Sequence, residues 1–205
     1  MTIYKNKENK RLCGVTTIIG LLNKPQLVAW ANRLGLDGIE TGKYVDDLAN
    51  VGTLAHAMVF AHLSNEKLNL DNYSKNDIDR AENAMISFLE WSKDKNIKVI
   101  LAETPLVSET MQVGGTPDLY AEVNGEKVLI DFKTGKAIYD EHFIQVAAYR
   151  MLLEEIGHKV DKAIIVRIGR DETEGFETRT ITNFTTHEQI FKHLLVIHKL
   201  RKETK

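Results

Sequence analysis

The sequence predicts a mixed α/β protein in which a helical first part is followed by an αβββαβ core. Three observations lead to this fold class. Apolar residues recur with helical spacing over about the first 95 residues, alternate as in β-strands from Lys98 onward, and return to helical spacing after Lys133. The Asn124-Gly125 pair, which lies between two β-prone runs, is a strong hairpin signal.

Three helices are expected in the first part, over residues 26–36, 44–63 and 77–95. Gly38 and Gly42 lie where a break between the first two helices is expected. Ser74 followed by Asp77 is typical of an N-terminal cap, which favours a third helix beginning there.

Strands are predicted over 98–107, 112–123 and 127–133, followed by a helix over 139–155 and a strand over 162–167. The helical crossover favours right-handed, parallel pairing of the strands on either side of it. The run 176–181 is expected to pair beside them. Thr185-Thr186-His187-Glu188 is a capping-box pattern that predicts a closing helix through about Arg201.

Two carboxylates and one ammonium group are expected to converge at the end of the predicted hairpin. Side chains alternate along a strand, so Asp131 and Lys133 point one way while Ile130 and Phe132 point the other. Counting back through the turn places Asp118 roughly opposite Asp131. Two like charges about 4 Å apart repel by roughly 4 kcal/mol at an effective dielectric of about 20. A cation must offset this repulsion, either Lys133 on an ordinary sheet face or a divalent metal ion.

The spacing of these residues resembles the signature of the PD-(D/E)XK nuclease superfamily, read here as Pro117-Asp118, twelve intervening residues, and Asp131-Phe132-Lys133. Three further segments are similar to those of its RecB-type exonuclease branch, including phage-encoded members. They are Val15-Thr16-Thr17-Ile18-Ile19-Gly20 followed by Lys24-Pro25 and Trp30, Gly52-Thr53-Leu54-Ala55-His56, and Gln145-Val146-Ala147-Ala148-Tyr149.

This resemblance spans most of the chain and implies a restriction-endonuclease-like fold, with the helical first part packed over a three-stranded catalytic sheet. The length suits one domain. We therefore expect a single nuclease domain over 1–205, with a helical part over 1–95 and a catalytic α/β core over 96–205.

Asp118 and Asp131 are the candidate metal ligands, because carboxylate oxygens suit one or two Mg²⁺ or Mn²⁺ ions. The resemblance adds the His56 imidazole, which would tilt the preference towards Mn²⁺, and the backbone carbonyl of Phe132. Glu103 lies in an otherwise apolar strand, where a buried carboxylate is costly without a partner. It either completes the metal site or lies at an exposed edge.

Lys133 is expected to orient or deprotonate the attacking water, and the alternative is a simple salt bridge. Gln145 and Tyr149 share one helical face. By resemblance they line the active cleft and contact the DNA strand or Lys133; otherwise the tyrosine faces the core and the glutamine faces solvent. Trp30 and Tyr44 are candidates either for stacking on unpaired bases or for core packing.

The composition narrows the function classes. Lys and Arg number 27 and Asp and Glu number 29, so the net charge of −2 argues against binding of nucleic acid by overall charge. Local basic contacts are expected instead. The candidates are Lys93, Lys95 and Lys98, Lys136, Arg167 and Arg170, and the 199–205 tail. The alternative for each of them is that it belongs to the ordinary solvated surface.

The single cysteine, Cys13, excludes the four-cysteine iron–sulfur cluster that several members of the branch carry. No apolar run approaches the ~20 residues that span a bilayer, and no signal-peptide pattern follows the charged start. We therefore expect a cytoplasmic protein, in a bacterial cell or phage-infected host, with no membrane partner.

The function that these expectations favour is metal-dependent exonuclease cleavage of DNA with single-stranded character or free ends, in recombination, repair or phage DNA processing. A helicase or recombinase partner is consistent with that setting. An endonuclease of the same superfamily and a non-catalytic nucleic-acid-binding module are the alternatives. The complete set of Asp118, Asp131 and Lys133 argues against the binding module.

Overall fold

The structure is a computed structural model that describes residues 2–204. Its elements in chain order are β1 (Tyr4–Lys5), β2 (Arg11–Gly14), α1 (Val15–Ile19), α2 (Pro25–Leu36), α3 (Thr41–Ser64), α4 (Lys75–Ser92), β3 (Ile97–Ala102), β4 (Leu106–Ser108), β5 (Val113–Gly115), β6 (Leu119–Val123), β7 (Glu126–Lys133), α5 (Asp140–Glu155), β8 (Lys162–Ile168), β9 (Phe176–Ile181) and α6 (Thr185–Glu203).

The main sheet has the order β3-β6-β7-β8-β9. β7 and β8 run parallel, as predicted from the helical crossover between them, and the other pairs are antiparallel. The hairpin of β6 and β7 turns at Asn124 and Gly125, both of which have positive φ, as predicted. The expectation of a three-stranded catalytic sheet is wrong, because β8 and β9 extend the same sheet to five strands.

A second sheet, with the order β1-β2-β5-β4, was not predicted, and it corrects two of the predicted strands. The run 98–107 divides at Glu103, where φ is +43°, into β3 of the main sheet and β4 of the second. The run 112–123 divides at Thr116-Pro117-Asp118, and proline cannot donate a hydrogen bond to a strand neighbour. Both runs therefore cross from one sheet to the other.

α2 to α6 agree with the prediction apart from details of their ends, whereas α1 was not predicted. The Ser74 hydroxyl accepts a hydrogen bond from the Asp77 N–H, which confirms that cap. Gly38 lies in the break before α3 with φ of +75°, but Gly42 lies within α3. The capping-box prediction at Thr185 is wrong, because Phe184 precedes the first turn of α6 and makes no side-chain cap.

The main sheet is covered on both faces. α3 and α4 cover one face, where Phe60 and Phe88 pack against Ile130 and Phe132 of β7. α1, α5 and α6 cover the other face, which contains Leu129. Because side chains alternate along β7, Asp131 and Lys133 lie on the α5 side. Within residues 2–204, no helix combines the length and the apolar character needed to cross a bilayer.

Candidate active site

Asp118 and Asp131 lie next to each other where β6 begins and β7 approaches its end. Leu119 pairs with Ile130, so Asp118 comes directly before the paired residues. Its Oδ2 accepts a hydrogen bond of 2.8 Å from the Phe132 N–H, which fixes this carboxylate against β7. The predicted convergence of the two acids is thus present.

The Asp131 carboxylate is completely buried, and neither of its oxygens has a hydrogen-bond partner among the described residues. Its compensating charge is Lys133, whose Nζ lies 2.6 Å from Oδ2 in an ion pair with angles outside those of a hydrogen bond. A buried, ionised carboxylate with unpaired oxygens is costly. Asp131 Oδ1 therefore retains free lone pairs for a second cation.

Lys133 is held from its other side by α5. Its Nζ donates a hydrogen bond of 3.0 Å to Gln145 Oε1, and Gln145 Nε2 donates one of 2.9 Å to the Tyr149 hydroxyl. The two helix residues are four apart and so share one face, as predicted. The Tyr149 ring is buried, and the hydrogen-bonded series fixes the position of the ammonium group beside the carboxylates.

The two acids have strongly perturbed acidities. Burial raises the pKa of Asp118 to about 6 and that of Asp131 to about 6, although Lys133 opposes both shifts. Burial also disfavours the Lys133 ammonium, but the Asp131 and Asp118 carboxylates outweigh it and raise the pKa of Lys133. Lys133 is therefore a cation at neutral pH.

His56 approaches the acids from α3, on the far side of Phe132. Its Nδ1 lies 3.9 Å from Asp118 Oδ2, and its ring meets the Phe132 ring edge-on, with 6.1 Å between centroids. Burial and the Lys133 charge lower the pKa of His56, so the imidazole is neutral at neutral pH and keeps a free nitrogen lone pair. Gly52, one turn earlier on α3, faces the loop after β7.

Glu103 lies outside β3, in the turn that follows it, and its side chain is exposed. Its N–H donates to the Asp118 carbonyl at 2.9 Å, and its negative charge contributes to the environments of both Asp118 and His56. The structure thus places Glu103 beside the two acids rather than within a strand. The Phe132 ring packs inward, which leaves its backbone at the site.

A divalent metal ion fits these donors, although they do not form a finished cage. Within residues 2–204, no three His, Cys, Asp or Glu side chains are arranged as a ready-made ligand cluster. The free Asp131 oxygens, the adjacent Asp118 carboxylate and the neutral His56 imidazole nevertheless supply the oxygen and nitrogen ligands that Mg²⁺ and Mn²⁺ accept. Lys133 already holds the charge-balancing position beside Asp131.

Sequence reasoning missed His142, which lies near Lys133 on α5. Burial and the Lys133 charge lower the pKa of His142 to about 4, so this imidazole is neutral. Its Nδ1 accepts a hydrogen bond from the Tyr139 N–H. His142 precedes Gln145 by three residues, and this helical spacing is the signal that could have identified it.

Arg167 and Arg170 are both buried, so the prediction of a DNA-binding surface there is wrong. Arg167 donates to the Gly135 carbonyl in the loop after β7 and to the Glu174 carbonyl in the turn before β9. Arg170 pairs with the Glu174 carboxylate and donates to the Leu48 carbonyl of α3. These two side chains anchor the loop after Lys133 and the helix that carries His56.

Trp30 of α2 and Tyr44 of α3 pack against each other, with ring centroids 6.1 Å apart. This contact favours the packing interpretation of the two rings over base stacking. α2 itself contributes no buried residue to the core, so the part of the helical region that covers the sheet is α3 and α4.

Among solved structures, the chain is similar to LHK-Exo in complex with dAMP, with 10% identity, a TM-score of 0.45, and coverage of 77% of this chain and 86% of that one. It is also similar to an alkaline exonuclease (LHK-Exo) from Laribacter hongkongensis, with 12% identity, a TM-score of 0.38 and coverage of 77% and 90%. SSO0001 matches with 14% identity, a TM-score of 0.36 and coverage of 72% and 74%.

No curated protein sequence matches the chain. The family model of the PD-(D/E)XK nuclease superfamily matches residues 31–203, a range that contains both acids, Lys133 and the two faces of the main sheet. This match covers most of the chain. The chain belongs to the PD-(D/E)XK nuclease superfamily.

Proposed function

We propose that this protein is a divalent-metal-dependent exonuclease that hydrolyses phosphodiester bonds of DNA. The observation that carries the proposal is the buried Asp131 carboxylate, whose Oδ2 lies 2.6 Å from the Lys133 ammonium and whose Oδ1 has no hydrogen-bond partner among the described residues. Buried acids with raised pKa values beside a fixed cation are typical of a catalytic site. A carboxylate that served only packing would have its oxygens satisfied.

Asp118 and Asp131 would hold Mg²⁺ or Mn²⁺, with His56, the Phe132 carbonyl and Glu103 as further ligands. A bound ion of this kind supplies positive charge to a phosphate and lowers the pKa of its bound water. Asp118 is already oriented for this role by the Phe132 N–H, and the neutral His56 offers a lone pair on the same side of the site.

Lys133 would orient the attacking water and stabilise negative charge on the phosphate. Without a bound ion, the Asp131 and Asp118 carboxylates raise the pKa of Lys133, so the side chain is an ammonium that donates hydrogen bonds. Gln145 would keep Nζ aimed at the reacting centre, and Tyr149 would in turn fix the Gln145 amide.

The exonuclease assignment rests on the RecB-type motifs at Gly52 to His56 and Gln145 to Tyr149, whose functional side chains face the two acids from opposite sides. A role in recombination, repair or phage DNA processing follows from the same resemblance. We also treat 1–205 as one nuclease domain, because α3 and α4 share a core with the strands that carry the site.

The test compares cleavage of end-labelled linear and covalently closed circular single-stranded DNA in Mn²⁺, by the wild type and by Lys133→Ala. The same comparison uses linear and nicked-circular duplexes, so that a duplex substrate is not overlooked. Exonuclease action predicts loss of the linear forms while the closed circles persist, and the substitution should abolish that loss. The nicked circle, which carries internal ends, distinguishes a requirement for any strand end from a requirement for a duplex end.

Cutting of closed circles by the wild type would replace the exonuclease with an endonuclease that uses the same site. Cleavage that persists in Lys133→Ala would mean that the activity does not come from this site. Absence of cleavage of every substrate, in both Mg²⁺ and Mn²⁺, would contradict the proposal and favour a non-catalytic nucleic-acid-binding module.

A further inference from the structure

Two surface grooves flank β2. The first, which we call the hydroxyl groove, has a volume of about 370 Å³ and is lined by the side chains of Tyr4, Thr16, Thr17 and Thr116, among others. Thr116 precedes Asp118 by two residues, so their Cα atoms lie within about 7 Å of each other. One end of the hydroxyl groove is therefore at the site.

The second groove, which we call the basic groove, has a volume of about 290 Å³ and lies between β2 and the end of α6. Arg11, Leu12 and Cys13 of β2 contribute to the lining of both grooves, so the strand lies between them. The cations along the basic groove are Lys10, Arg11, Lys199 and Lys202.

These four cations are exposed, and none of them forms an ion pair with another residue in the range 2–204. No Asp or Glu among the described residues lines either groove. Many other basic side chains are paired, as Lys98 and Lys127 are with Glu122. In a chain with a net charge of −2, the basic groove is thus a local concentration of uncompensated positive charge.

Part of this charge is held in place. Lys202 Nζ donates to Cys13 Sγ at 3.1 Å, and His198 Nε2 lies 3.0 Å from the same sulfur. Burial, with Lys202 and Arg201, lowers the pKa of His198, so the imidazole contributes hydrogen bonding rather than charge. The thiol thus fixes the lysine at the groove.

We propose that the basic groove binds the sugar–phosphate backbone of the DNA substrate at a position away from the two acids. This inference rests on the proposed function and adds a second contact site to it. The exposed cations attract the phosphates. Contacts of this kind carry no base specificity, so the binding is independent of sequence and depends strongly on salt.

The test measures binding of a labelled 20-nucleotide single strand by fluorescence anisotropy in EDTA over a range of salt concentrations. Lys199→Ala/Lys202→Ala is compared with Lys67→Ala/Lys75→Ala, an equal charge change at exposed positions beside and within α4, on the other face of the sheet. The groove variant should bind on the order of tenfold more weakly at low salt. The slope of its log affinity against log salt concentration should be smaller in magnitude by about 1.4, and the control should have the affinity and slope of the wild type.

Equal affinity and equal salt slope in the two double variants would overturn the basic groove as a DNA contact. The assay is independent of hydrolysis, so its result is separate from that of the cleavage test. If the wild type cleaves DNA but the groove variant binds normally, the groove proposal alone fails. If the groove variant binds weakly but the wild type cleaves nothing, the proposed exonuclease fails and the contact stands.

Discussion

Gly52 of α3 and Thr134, the first residue after β7, approach so closely that a Cβ atom at position 52 would lie 2.6 Å from Thr134 Oγ1. His56 is one turn further along α3, and Lys133 is the residue before Thr134. The contact therefore sets the distance between the helix that carries the imidazole and the strand that carries Asp131 and Lys133.

Gly52→Ala should destabilise the protein and displace His56 from the acids. A methyl group at 52 cannot fit without movement of Thr134 or α3, and overpacking of this kind costs about 1–3 kcal/mol. We expect a lower free energy of unfolding in urea and a loss of nuclease activity larger than the unfolded fraction explains.

Gly35→Ala is the matched control, because Gly35 lies within α2 and a Cβ there would meet no atom within 4 Å. It should leave stability unchanged or raise it by up to about 1 kcal/mol, as alanine favours the helix. Thr134→Ala removes the clashing oxygen and should restore part of the loss in a double variant with Gly52→Ala. Equal effects of Gly52→Ala and Gly35→Ala would contradict the close approach.

In the absence of divalent ions, the free energy of unfolding should fall as the pH rises from about 4 to above 6, because Asp118 and Asp131 lose their protons over this range. Their folded-state pKa values are raised to about 6, so the folded protein binds these protons more tightly than the unfolded chain does. The stabilisation is present below pH about 4 and is lost as each acid ionises, by up to about 3 kcal/mol for each.

The Asp118→Asn variant isolates the contribution of Asp118 to this pH dependence. The amide oxygen can still accept from the Phe132 N–H, and the buried negative charge is removed. The neutral histidines His56 and His142 titrate in the opposite sense in an overlapping range, and they remain in both proteins. Urea unfolding in EDTA at pH 4.5 and pH 7.5 should show that the variant gains stability relative to the wild type as the pH rises, and a constant difference would refute the shift.

Mn²⁺ should raise the melting temperature of the wild type but not that of Asp131→Asn. An ion that binds only the folded state adds about 2.7 kcal/mol at a hundred times its dissociation constant. His56→Gln should reduce the Mn²⁺ effect more than the Mg²⁺ effect, because imidazole is the softer ligand. His193→Gln, at an exposed position of α6, is the control. If Mn²⁺ raised the melting temperature of Asp131→Asn as much as that of the wild type, the ion would bind at another site.

The hydrogen-bonded series from Lys133 through Gln145 to Tyr149 predicts graded losses of kcat. Lys133→Met removes the cation at the reacting centre and should cost about 10²–10³-fold or more. Gln145→Met leaves the cation but loses its support, which should cost about 10–100-fold. Tyr149→Phe removes one hydrogen bond at the far end, and a loss of about fivefold is expected. Single-turnover rates at saturating DNA measure the series, and a Tyr149→Phe loss as large as that of Lys133→Met would contradict it.

The elements that sequence patterns identified well are those with a strong local signal. The β6–β7 hairpin follows from Asn124-Gly125, and α3 to α5 follow from their periodicity. The second sheet was missed because its strands have only two to four residues, and its pairing joins positions about 100 residues apart, such as Cys13 and Val113. Such pairing depends on tertiary contacts and leaves no local period.

The relation of Asp118 to Asp131 was predictable because a two-residue turn fixes the register of a hairpin. The approach of Gln145 and Tyr149 to Lys133 required the family resemblance, since helical spacing shows only that the pair shares a face. The placement of Glu103 could not be predicted, because it depends on a left-handed backbone conformation in an apolar run. The burial of Arg167 and Arg170 likewise depends on contacts with α3 and Gly135 that are distant in sequence.

The contacts of the Arg170 guanidinium bear on which substitutions the site tolerates. It ties the Glu174 carboxylate to the Leu48 carbonyl of α3, while Arg167 ties the same turn to Gly135. α3 and the loop after β7 are thus both held by contacts with the turn before β9, which contains none of the candidate catalytic residues. Asp118, Asp131 and Lys133 take no part in these contacts, so substitution of a reactive side chain should leave the contacts of Arg167 and Arg170 in place.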